Sequence, residues 1–149
     1  MKKRQVRRYE HDHPESKVLV ADATKARRMD VDKEVQREAG WITARRAILM
    51  LTKDALICGD WVIPLNQIDS VSLLEIKQGI FRGYVLKVVS KENHYQFGLS
   101  YNPEWQTQSH FPLKAESATV GYSKFSSLLR IVRFVSVFIF LGWIFRQLF

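Results

Sequence analysis

One cysteine, Cys58, stands in 149 residues, so no internal disulfide forms and no cysteine-based zinc site exists. Other absences narrow the chemistry further. No glycine-rich phosphate loop is present, since Gly79 and Gly83 in GIFRG read as turn or bulge residues. His94 and His110 are isolated in sequence. His11 and His13 flank Asp12 without a third or fourth metal ligand at recognisable spacing. Asp30, Asp32 and Glu34 lack the glycine and the terminal bidentate glutamate of a calcium loop. Cys58 adjoins a hairpin turn on an apolar strand, which suits packing better than nucleophilic chemistry. The expectation is a protein that is not an enzyme and has neither metal nor cofactor. No internal repeat is visible, and the basic start is not followed by the apolar core of a cleavable signal, because Tyr9 to Ser16 is polar.

The chain has one long apolar run, LLRIVRFVSVFIFLGWIFRQLF at residues 128–149. Phe134 to Phe145 carries no charge, and Phe134, Phe138, Phe140, Phe145 and Phe149 are five of the nine phenylalanines. A helix rising about 1.5 Å per residue needs about 20 residues to cross a hydrocarbon core of about 30 Å. The uncharged stretch meets that length only with Arg130, Arg133 and Arg146 snorkelling to the headgroups and Trp143 in the interfacial belt. A buried core helix is the competing reading. The all-round apolar character favours a single transmembrane helix. Lys124, Arg130 and Arg133 before the run outnumber Arg146 after it, which sets the N-terminal part in the cytoplasm.

The net charge of +8 comes from 23 Lys and Arg against 15 Asp and Glu. Much of it is local. MKKRQVRR places Lys2, Lys3, Arg4, Arg7 and Arg8 together without an acid, and Arg27-Arg28 and Arg45-Arg46 add two pairs. Nucleic acid and anionic lipid both attract such a surface. Beside a membrane helix, lipid or an acidic protein partner is the more economical reading, at about 1 kcal/mol per basic residue near an anionic leaflet.

Between the termini the pattern is that of short strands. Residues 1–16 read as a basic flexible tail. Lys17 to Met29 supplies a first strand, and Asp30 to Ala39 is either a short helix or a long hairpin loop. Trp41 to Thr52 is rich in β-branched and apolar residues, Thr52-Lys53-Asp54 is a turn, and Gly59-Asp60 is a tight hairpin turn before Trp61. Pro64 cannot donate to a ladder, so its strand lies at an edge or ends there. Gly83 to Ser90 pairs with His94 to Ser100, which directs Tyr84, Leu86 and Val88, with Tyr95, Phe97 and Leu99, into one core. Trp41 and Trp61 are placed at strand starts, covering the barrel. A short helix or turn follows Pro103, and Phe111 to Ala115 is a candidate last strand. Six or seven antiparallel strands in residues 17–115 make a small barrel or sandwich, with a linker over 116–127.

The stretch Ala47 to Ile57, the corner Ile63-Pro-Leu-Asn-Gln-Ile68, and the strands at Tyr84 and Tyr95-Gln-Phe97 together resemble a pleckstrin-homology-like domain of the GRAM or bacterial type. The resemblance spans about Val18 to Trp105 and implies a mainly β fold that binds lipid or protein. Such domains usually close with an amphipathic helix, and here only Pro103 to Gln108 is available before the apolar run. Two functions follow as expectations. One is a non-catalytic, membrane-anchored interaction module binding a protein partner or anionic lipid at the cytoplasmic face. The other is an accessory single-helix subunit of a larger respiratory, photosynthetic or transport complex, for which the absence of a GxxxG self-pairing pattern speaks.

Overall fold

The computed structural model describes residues 2–31, 33–35, 39–78, 81–91, 93–110 and 114–118. The expected transmembrane helix at 128–149, with Arg130, Arg133, Phe134, Phe138, Phe140, Trp143, Phe145 and Arg146, lies outside them, as does most of the linker. No helix among the described residues is long and apolar enough to cross a membrane.

Seven antiparallel strands form one curled sheet. They are β1 (Val20–Met29), β2 (Arg45–Leu51), β3 (Ala55–Cys58), β4 (Trp61–Pro64), β5 (Ser70–Gln78), β6 (Phe81–Ser90) and β7 (Asn93–Ser100). An eighth, β8 (Lys114–Ala118), joins β5 in parallel, giving the order β4-β3-β2-β1-β7-β6-β5-β8. Where a small barrel or sandwich was expected, the described strands make a curled half-barrel, with β4 and β8 at its edges. Pro64 has no amide hydrogen to offer a further strand, and β4 is four residues long. The last strand is parallel and runs to Ala118, three residues past the expected boundary.

The concave face holds the main core. Leu49, Leu51, Leu56, Leu73, Leu86 and Phe97 are buried there, joined by Trp105 from the short helix α2 (Glu104–Thr107). The six residues expected to share one core stand on facing rungs of β6 and β7. Tyr84 faces Leu99, Leu86 faces Phe97 and Val88 faces Tyr95. Cys58 pairs with Trp61 across Gly59-Asp60, and Gly59 has φ +65 while Asp60 does not take a positive φ. Positive φ at the first central residue alone is the type II′ pattern. Gly83, expected in a turn, lies inside β6 opposite Ile76. Trp41 sits in a 3-10 turn, Ala39–Trp41, ahead of β2 rather than on it.

The convex face carries a second, smaller core. β2 reads as a near-continuous apolar run because both its faces are covered, Leu49 and Leu51 inward and Ile48 and Met50 outward. The outward cover is α1 (Lys2–Asp12), whose Val6 and Tyr9 pack with Val18 and Ala21 against Ile48, Met50 and Ile57. The segment expected to be flexible is thus a docked helix over this range. Lys, Arg and Gln favour helix, and the i,i+3 pair Val6 and Tyr9 supplies the packing that a short isolated helix lacks in water. The Val18 amide donates to Glu10 Oε1 at 3.1 Å, and Lys2 Nζ stands 3.6 Å from Asp22.

Candidate anionic-surface interface

Strand register brings the two arginine pairs together. β1 and β2 are antiparallel, with Lys25 opposite Arg46 and Ala26 opposite Arg45. Residues 18 apart in sequence thereby share one end of the sheet. Alternation then sorts them by face. Ala26 is buried in the concave core, so Arg28 and Arg45 lie on the rim of the concave side. Lys25, Arg27 and Arg46 lie on the convex side.

Aromatic rings hold some of these cations. The Arg45 guanidinium lies 5.3 Å from the Trp61 ring and is ion-paired with Asp60. Trp61 in turn packs on Tyr95 with centroids 5.7 Å apart. On the convex side the Arg27 guanidinium lies 5.3 Å from the ring of Trp41. That ring rests on β7 at Gly98, where an added Cβ would meet it at 3.1 Å. A close approach of an indole to the backbone needs glycine there. Arg28 and Arg46 are exposed, and neither has an ion-pair partner among the described residues.

Sequence reasoning missed three parts of this site. Lys25 belongs to it, two residues before Arg27 on the same face, a spacing that period-two reading would have found. Ile42 is 79% exposed and Val31 63%, both on the connection between β1 and β2 that leaves and re-enters the sheet at its basic end.

The N-terminal cations form a separate group on α1. Val6 and Tyr9 fix the face toward the sheet, so the 100° step sends Arg4 away from it and puts Arg7 and Arg8 on its two flanks. Lys3 and Arg7 flank the contact on one side. Arg8 Nε is 3.8 Å from Asp12 and Lys2 is held by Asp22, while Lys3, Arg4 and Arg7 have no ion-pair partner among the described residues.

The remaining titratable candidates do not converge. No cluster of three or more His, Cys, Asp or Glu is positioned for a metal ion among the described residues. His11 Nδ1 stands 3.2 Å from Asp12, and His13 stacks on Tyr9 with centroids 4.4 Å apart. Cys58 is fully buried, and that burial pushes its thiol up to about 11, with Arg45 pulling down and Asp60 pushing up. A buried protonated thiol is a core group rather than a nucleophile. Comparison with protein-family models, curated proteins and solved structures finds no match.

Proposed function

We propose that this protein is a non-catalytic interaction module, held at the cytoplasmic face of a membrane by its C-terminal apolar segment, whose basic sheet end engages anionic lipid headgroups. The observation that carries the reading is the cross-strand pairing of Lys25 with Arg46. Like charges directly opposite on adjacent strands repel, and an anion lying over them relieves that repulsion. Arg28 and Arg27 extend the positive surface on either side. Exposed Ile42 and Val31 are suited to enter the interfacial layer while the arginines stay at headgroup level. The pleckstrin-homology-like resemblance supports the same function class, with the fold reading resting on the hairpin and corner motifs quoted above. The inert, buried Cys58 and the scattered histidines support a binding role over a catalytic one.

Sedimentation with phosphatidylcholine vesicles, with and without phosphatidylserine, tests the reading on residues 1–127. The fragment binds only the anionic vesicles, and less as salt rises. Arg28→Gln with Arg46→Gln weakens that binding about 30-fold, at about 1 kcal/mol for each charge removed from an anionic surface. Undiminished binding by the double variant refutes the assignment to this end of the sheet.

A further inference from the structure

We infer that the cleft between α1 and the start of β1 is a second binding site, built for the phosphate head of a single anionic lipid. It rests on the membrane reading above only for the source of that ligand. The cleft is lined by Lys2, Lys3, Arg7 and Glu104 around a floor of Val6, Val18, Leu19 and Ala21, and its volume is about 280 Å³. Its geometry follows from the sheet. β7 pairs with β1 only from Thr24 onward, so the first rungs of β1 lack a neighbour on that side. Asn102 reaches into the gap and donates to Asp22 at 2.9 Å, and α1 crosses over it.

Three features select the ligand. First, Lys3 and Arg7 are one helical turn apart, and like charges at that spacing repel unless an anion sits between them. Glu104 is the sole acid in the lining, and it already accepts from Asn102 Nδ2 at 3.2 Å. Lys2 is turned to Asp22, which leaves Lys3 and Arg7 as the cations available to an incoming phosphate. Second, the floor is aliphatic, which a free inorganic anion has no use for and a glycerol backbone with its first acyl carbons does. Third, the cleft is open to solvent and its volume stands at the lower limit of the roughly 300–1,000 Å³ typical of small-ligand sites. The site therefore takes one end of a molecule whose remainder stays outside, as a lipid leaves its tail in the bilayer. The ligand class is a phosphate-headed lipid, with the charge on Lys3 and Arg7 and the stem on Val18, Leu19 and Ala21.

Native mass spectrometry of the full-length chain, released from non-ionic detergent, tests this with phosphatidic acid, phosphatidylcholine and inorganic phosphate as probes. One phosphatidic acid is retained per chain, at least about tenfold more tightly than either of the other two. Lys3→Gln with Arg7→Gln weakens its retention about tenfold, and so does Ala21→Leu, which fills the floor while keeping every charge. Arg28→Gln with Arg46→Gln leaves this single adduct in place. Equal retention of phosphatidylcholine, or of inorganic phosphate, overturns the inference. So does retention unaffected by the Lys3 and Arg7 changes, and in that case a loss confined to the Arg28 and Arg46 variant leaves the sheet-end reading standing without the cleft.

Discussion

Phe97 and Cys58 give the residue scale its sharpest tests, because each is fully buried and each acts by a different physical term. Phe97 is held between Leu86 on β6 and Ala26 on β1, with Tyr95 stacked parallel at 6.1 Å. Phe97→Ala is expected to cost about 3–5 kcal/mol, the transfer term plus the cavity left at a site closed on both strands. Urea unfolding of residues 1–127 measures it, and a loss below about 1 kcal/mol would mean that the cavity collapses or that the ring contributes little. Cys58 acts through protons. Its thiol titrates at about 11 in the fold against an ordinary 9.0, so the folded chain binds the proton more tightly than the unfolded one. The resulting stabilisation is whole below pH 9 and is lost as pH rises toward 11. Unfolding at pH 8 and pH 10 should show a stability drop that shrinks in Cys58→Ala. Equal drops in both proteins would place the alkaline sensitivity in other groups.

At the scale of elements, the strands were legible in sequence and the N-terminal helix was not. Alternation assigned Tyr84, Leu86 and Val88 and Tyr95, Phe97 and Leu99 to one core, and the structure places them opposite one another, with the strand beginning one residue earlier than expected, at Asn93 paired with Ser90; Gly59-Asp60 set its hairpin by turn chemistry alone. α1 escaped because two apolar residues among five cations are too thin a stripe for periodicity to register. The indirect sign lay in β2. The run Ala47 to Leu51 is apolar at every position, a strand with that pattern is covered on both sides, and the cover had to come from elsewhere in the chain. Removing residues 2–13 should therefore bare Ile48, Met50 and Ile57, costing about 2 kcal/mol for the partial burial of Val6 and Tyr9 and the strip beneath them. Enhanced binding of a hydrophobic dye to the shortened chain, with its β-sheet circular dichroism retained, is the expected signature. A dye signal no higher than that of the parent would mean that another segment covers the strip.

On the scale of the whole molecule, charge is legible in sequence as composition, but only folding turns it into sites. Arg27-Arg28 and Arg45-Arg46 were visible as pairs. That Lys25 would stand against Arg46 required the β1–β2 register, and that Lys3 and Arg7 would overhang the start of β1 required a helix where the sequence reads as a tail. Among the described residues the concave core gathers side chains from Val20 to Trp105, the last supplied by α2. The last prediction concerns the apolar run. Deleting residues 128–149 should move the protein from the membrane fraction to the soluble fraction with its urea midpoint measurable and its sheet content kept, because the segment is uncharged on every face from Phe134 to Phe145 and is long enough to serve as an anchor with its flanking arginines at the headgroups. A core helix behaves differently. Its loss would strip apolar cover from the domain, and the truncated chain would aggregate or unfold cooperatively at lower denaturant. Phe97→Ala in the truncated background separates the two cases further, since a domain that is complete without the segment loses the same about 3–5 kcal/mol, whereas one already opened by the deletion has less packing left to lose.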